Sequence, residues 1–206
     1  MNKKILFAFV ALLMISKVAS AQFVKVSVGI NGGGLGTQMM TDPAPTNPTY
    51  FYLSGYGGLF TTINFGNVFG IRGAANYALQ GGQYDVNGVT ATVSQSYIQV
   101  PATLLIHAGR AVSFEFGLVQ NILLQSNYKE ENGSTVNITP DEGALKYNIG
   151  AVGGINFNFG KVVFLNLKYH YGLSKAYVIY GKGFPTSTVS AGLGFNIYTN
   201  RKSAFR

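Results

Sequence analysis

The chain has 206 residues and carries 15 Lys+Arg against 7 Asp+Glu, a formal net charge of +8, yet only 11% of it is charged, well below the roughly 25% usual in soluble domains. It has no cysteine, which excludes a lipid-modified N-terminal Cys, disulfides and thiolate metal or redox sites, and His107 and His170 alone argue against a metal cluster. The basic residues are scattered one or two per segment instead of clustering on one face, so the positive charge does not read as nucleic-acid binding.

Lys3 and Lys4, the apolar run from Ile5 to Ile15 and the triplet Ala19-Ser20-Ala21 have the tripartite form of a secretory signal peptide, 1–21. The run is shorter than the roughly 20 residues that a retained membrane helix needs. Removing Lys3, Lys4 and Lys17 leaves a chain expected to begin at Gln22, with 12 basic and 7 acidic residues and a net charge of +5. Gly (27), Phe (15) and Tyr (13) are abundant and no long apolar run follows the leader. Backbone polar groups in lipid must pair internally, and without helices only a closed barrel achieves that.

Eight segments then alternate at period two, apolar against small or polar. In chain order the apolar sets are Val24, Val26, Val28 and Ile30; Phe51, Leu53, Leu59, Ile63 and Phe65; Phe69, Ile71, Ala75, Tyr77 and Leu79; Ile98, Val100, Ala102, Leu104 and Ile106; and Val112, Phe114, Phe116, Leu118, Ile122 and Leu124. The sixth runs from Tyr147 to Phe159, the seventh from Val163 to Tyr171, and the eighth is Val189, Ala191, Leu193, Phe195 and Ile197. Each set lies on one face of a strand. The opposite faces carry mainly Gly, Asn, Ser and Thr, a poor soluble core, so the pattern favours a membrane barrel over a soluble lipocalin-like one, whose apolar residues point inward.

The connections alternate in length. Short turns are expected at Phe65-Gly66-Asn67, from His107 to Arg110, and at Phe159-Gly160-Lys161. Long loops are expected at about 36–50, 80–91, 128–143 and 174–187, from their clusters of Pro, Gly, Asn and Asp. Five of the six prolines fall in those loops, as a residue without a ladder donor should. This rhythm predicts an up-and-down transmembrane barrel of eight antiparallel strands over 22–200, with a short basic tail at 201–206. Both termini would be periplasmic and the four long loops extracellular.

Four charged strand residues, Lys25, Arg72, Glu115 and Lys168, fall on the inward parity. Glu115 is expected to neutralise Arg72, with Lys25 or Lys168 as further neighbours, in a lumenal charge network. The competing reading is a set of separately hydrated side chains among inward glycines. No residue set marks an enzyme. His170 near Ser174 has the residue types of a membrane-barrel hydrolase, but no third group stands out to orient the base.

The run Ser96-Tyr97-Ile98-Gln99-Val100-Pro101-Ala102-Thr103-Leu104-Leu105, followed by Phe114-Glu115-Phe116-Gly117-Leu118, resembles the outer-membrane β-barrel family often labelled porin-family or PorT-like. Its members carry a Tyr-Leu-x-Ile-Pro-Leu-Leu strand, a short turn and an aromatic-rich Glu-x-Gly strand. Asn148 to Gly154, the turn Phe159-Gly160-Lys161 and Leu167 to Leu173 resemble the family's next two strands. Ala102 stands where a larger aliphatic is usual, and the chain ends in Arg206 where many such barrels end in an aromatic.

The resemblance implies an integral protein of the Gram-negative outer membrane. The leading expectation is a structural or surface-interaction role without catalysis or cofactor, because side chains can fill an eight-stranded interior. The alternatives are a narrow porin-like channel, with Gly29, Gly117, Gly150, Gly154, Gly192 and Gly194 leaving a water path, and a PorT-like accessory role in secretion or envelope assembly. Expected partners are outer-membrane lipid and lipopolysaccharide, the barrel assembly machinery during insertion, and an unidentified envelope or extracellular protein.

Overall fold

The computed structural model describes residues 23–39, 52–86, 89–130, 136–137, 146–175, 177–179 and 182–203. The expected signal peptide and the last three residues lie outside them. Eight long strands form the wall: β1 (Phe23–Met39), β2 (Tyr52–Phe65), β3 (Phe69–Val86), β4 (Val89–Ala108), β5 (Val112–Glu130), β6 (Tyr147–Phe159), β7 (Val163–Gly172) and β8 (Thr186–Ser203). Each pairs antiparallel with its sequence neighbour, and β1 pairs with β8 from Phe23↔Ser203 to Met39↔Thr186. The wall of the sheet therefore closes on itself, each strand finding a partner on both sides around the barrel.

The three short connections hold a glycine in the left-handed region, Gly66 (φ 67), Gly109 (φ 82) and Gly160 (φ 73). A side chain there would strain the tight reversal between twisted strands. At the other end the barrel departs from the sequence expectation. Most of the segment 80–91 is strand: β3 and β4 stay in register to Val86↔Val89, with 87 and 88 outside the described residues. β5 likewise runs to Glu130, and 174–187 contains a small hairpin of Tyr177–Ile179 on Lys182–Phe184. The turn-forming residues that signalled a loop do not stop the ladder, and Thr90, Thr92 and Val93 are β-branched, which suits a strand. β8 also continues to Ser203, so the expected tail at 201–206 begins as strand.

The pattern of exposure is inside-out. Leu59 (61%), Leu118 (52%) and Leu193 (44%) are exposed on the outer face, while Glu115, Asn156 and Asn166 are 1% exposed within. This arrangement rules out the soluble lipocalin-like alternative, whose apolar face would be enclosed. Tyr77, Tyr147 and Tyr171 on the outside toward the loop end, with Phe159 and Tyr198 toward the turn end, have the placement of aromatic girdles. β7, with 10 residues, matches the roughly 9–11 residues a tilted strand uses to cross a bilayer, and β6, with 13, exceeds it slightly. Pro101 interrupts the β3–β4 ladder, whose pairing stops at Gly73↔Ala102 and resumes at Asn76↔Gln99. With no N–H to donate, proline cannot continue it.

Candidate functional site

The inward residues of six neighbouring strands meet in one buried belt. Glu115 on β5 is its centre. Oε2 accepts from Arg72 Nη1 (2.9 Å) and Asn156 Nδ2 (2.9 Å), and Oε1 accepts from Lys168 Nζ (2.8 Å) and Thr103 Oγ1 (2.8 Å). Arg72 on β3 also donates from Nε to Thr62 Oγ1 (3.0 Å) and from Nη1 to Asn156 Oδ1 (3.1 Å). One strand separates Arg72 from Glu115 and another separates Glu115 from Lys168, so contact across the narrow lumen relies on long side chains. The structure brings Arg72, Glu115 and Lys168 together and puts Lys25 nearer the turn end, in the wall of a cavity with Arg110 and Lys161. Two cations share one carboxylate, leaving the belt one positive charge in excess.

That excess lies against aromatic rings. The Arg72 guanidinium is 4.5 Å from the Phe164 ring centre and 5.2 Å from that of Phe60, within the reach of the attraction between a cation and a ring face. The two rings meet edge to face at 5.4 Å and 72°. Both phenylalanines stand on the inward parity of their strands, among inward residues that are mainly small and polar. The signal that marks them is a cross-strand glycine, which only the register reveals. Phe60 is in register with Gly29, and Phe164 with Gly194, pairings in which the glycine leaves space for a ring from the next strand.

The same relation explains the inward glycines read as room for a water path. A Cβ at Gly29 would overlap the Phe60 ring, at Gly194 the Phe164 ring, and at Gly192 the Tyr56 hydroxyl. At Gly117, Gly150 and Gly154 it would first meet the backbone carbonyl oxygens of Ala102, Tyr171 and Leu167 on the neighbouring strand, and next Thr103, Val119 and Lys168. The space these glycines leave is taken up by closely approaching neighbour-strand backbone and by lumen side chains. Tyr56 extends across the interior and donates to Asn166 Oδ1 (2.8 Å).

The two histidines occupy different levels. His170 faces inward beside Lys168 and Ser190, whereas Ser174 Oγ accepts from the Ile149 N–H (2.8 Å), so the structure does not assemble the base and nucleophile considered from the sequence. His107 lies near the turn end with Nε2 2.8 Å from Asn64 Oδ1 and Nδ1 2.8 Å from Ser113 Oγ. The amide oxygen can only accept, so Nε2 carries a proton; in the neutral ring Nδ1 then accepts from Ser113. Asn158 Nδ2 donates to the same hydroxyl (3.0 Å). This layer floors a cavity of about 200 Å³ that opens at the turn end into a mouth of about 840 Å³. Among the described residues no three His, Cys, Asp or Glu side chains group as a metal site, and no helix is long and apolar enough to cross a membrane.

The family model described as "Outer membrane protein beta-barrel domain" matches residues 20–178. No curated protein matches the chain in sequence. Among solved structures, the chain is similar to Ail, the attachment invasion locus protein of Yersinia pestis, determined with the heparin analogue sucrose octasulfate. The identity is 16% and the TM-score 0.50, over 86% of this chain and 99% of that one. It is also similar to Neisserial surface protein A, at 12% identity and a TM-score of 0.56, over 84% of this chain and 99% of that one. At these identities the likeness concerns the fold.

Proposed function

The chain belongs to the family of outer membrane protein beta-barrel domains, and from that premise we propose that this integral outer-membrane protein acts through its exposed surfaces, as a structural or surface-interaction protein, without catalysis. The observation that carries the reading is the filled interior. The stack of Phe60, Arg72 and Phe164 and the four-donor shell of Glu115 occupy the lumen at one level, leaving the rim and its connections as the parts that meet other molecules. The proposed orientation puts the tight turns and both termini in the periplasm, since outer-membrane barrels keep short connections there and long ones outside.

Single-channel recording in planar bilayers tests this reading against the channel alternative. The wild type is expected to give no reproducible conductance steps, whereas Phe60→Ala/Phe164→Ala, which removes both rings, is expected to give them. Regular steps from the wild type would refute the surface reading.

A further inference from the structure

The acids of this chain are distributed unevenly along the barrel. Asp85 and Glu130 stand at the loop-end tips of β3 and β5, Asp42, Glu131, Asp141 and Glu142 fall in sequence between strands and outside the described residues, and Glu115 lies in the lumen. None falls in the three tight turns, in β1 or in β8. The cations are arranged differently. Arg110 directly follows the left-handed Gly109, and Lys161 directly follows the left-handed Gly160. Two equivalent turns thus carry a cation at the same position. Lys25 joins them from β1, and all three line both the inner cavity and its wider mouth. Across the seam Lys25 is in register with Arg201, and Lys202 is the next residue.

A concave opening lined by one sign of charge, with low-dielectric walls, concentrates the field and attracts counter-ions. A guanidinium with two ammonium groups suits an anion that presents several oxygens at once. We infer that the turn-end mouth is a binding site for a phosphate-bearing anion, held by Lys25, Arg110 and Lys161. The three cations line a cavity at the end of the lumen, so the phosphate enters the mouth, whether free in solution or projecting from a lipid headgroup.

The test uses the mature barrel in nanodiscs of zwitterionic lipid, titrated calorimetrically with inorganic pyrophosphate. Saturable binding is expected. It should weaken as salt rises from 50 to 200 mM, since screening shortens the reach of these charges. The variant Lys25→Gln/Arg110→Gln/Lys161→Gln should bind about tenfold more weakly or worse while keeping the compact gel migration of the folded barrel. If that variant fails to fold, each single change should cost roughly two- to threefold. Lys146→Gln/Lys175→Gln, at the loop end, should bind as the wild type does.

Adding phosphatidylglycerol to the disc separates the two sources of phosphate. A lowered apparent affinity for pyrophosphate identifies a competing headgroup, and an unchanged one identifies a soluble ligand; both support the site. Absence of binding overturns the inference. So does binding that survives the triple variant, or binding that the loop-end variant removes.

Discussion

Replacing Glu115 by Gln is the sharpest perturbation of the lumen. The carboxylate is 1% exposed and accepts four hydrogen bonds, from Arg72, Asn156, Lys168 and Thr103. Gln keeps the shape but offers one acceptor oxygen and one NH₂. Half of the donors therefore face another donor, and two buried cations lose their counter-charge. Removing one partner from a buried ion pair typically costs about 3–5 kcal/mol.

Unfolding by urea in lipid vesicles, followed by the gel shift between folded and boiled barrel, reads the loss. With a denaturant slope of roughly 1–3 kcal/mol per M, the midpoint should fall by at least about 1 M. The triple change Arg72→Met/Glu115→Leu/Lys168→Met should lose less than Glu115→Gln alone, because an apolar replacement leaves no orphaned charge. A Glu115→Gln midpoint equal to the wild type would refute the network and favour separately hydrated side chains.

Two further changes probe the wall. Gly194→Val places atoms where the Phe164 ring lies and should cost about 1–3 kcal/mol by overpacking; Phe164→Leu in the same chain should recover part of it in the same urea assay. Leu118→Arg puts a charge on the outer face near mid-strand and should cost roughly 2–4 kcal/mol. Val162→Arg, in the Gly160 turn, should cost about 0–1. Equal losses for the two arginines would mean that the outer face does not meet a graded lipid environment.

The wall was legible because membrane strands impose a strict alternation. From Tyr147 to Phe159 every residue stands on the face its parity assigns. The turns were legible because Gly66, Gly109 and Gly160 interrupt that alternation with a conformation other residues resist. What period two does not encode is lateral register. It put Lys25, Arg72, Glu115 and Lys168 on the inner face, but which of them touch depends on the stagger around the barrel, and that stagger separates Lys25 from the carboxylate's immediate shell. Phe60 and Phe164 were hidden for a different reason. An apolar residue in such a strand reads as lipid-facing unless its cross-strand glycine is known. In 80–91 polar composition describes a loop and a solvated ladder equally well, so the strand pairing to Val86↔Val89 is not legible there.

That solvated ladder changes what the far end of the barrel can be. β4 has 20 residues and β5 has 19, while crossing the bilayer uses roughly 10. At about 3.3 Å per residue the surplus amounts to roughly 30 Å of strand, braced by the β3–β4 and β4–β5 ladders. A free loop of that length would have to be ordered on meeting another molecule, at roughly 1–2 kcal/mol of backbone entropy per residue. The described ladder is ordered in advance, so whatever meets it meets a backbone that has already lost that entropy.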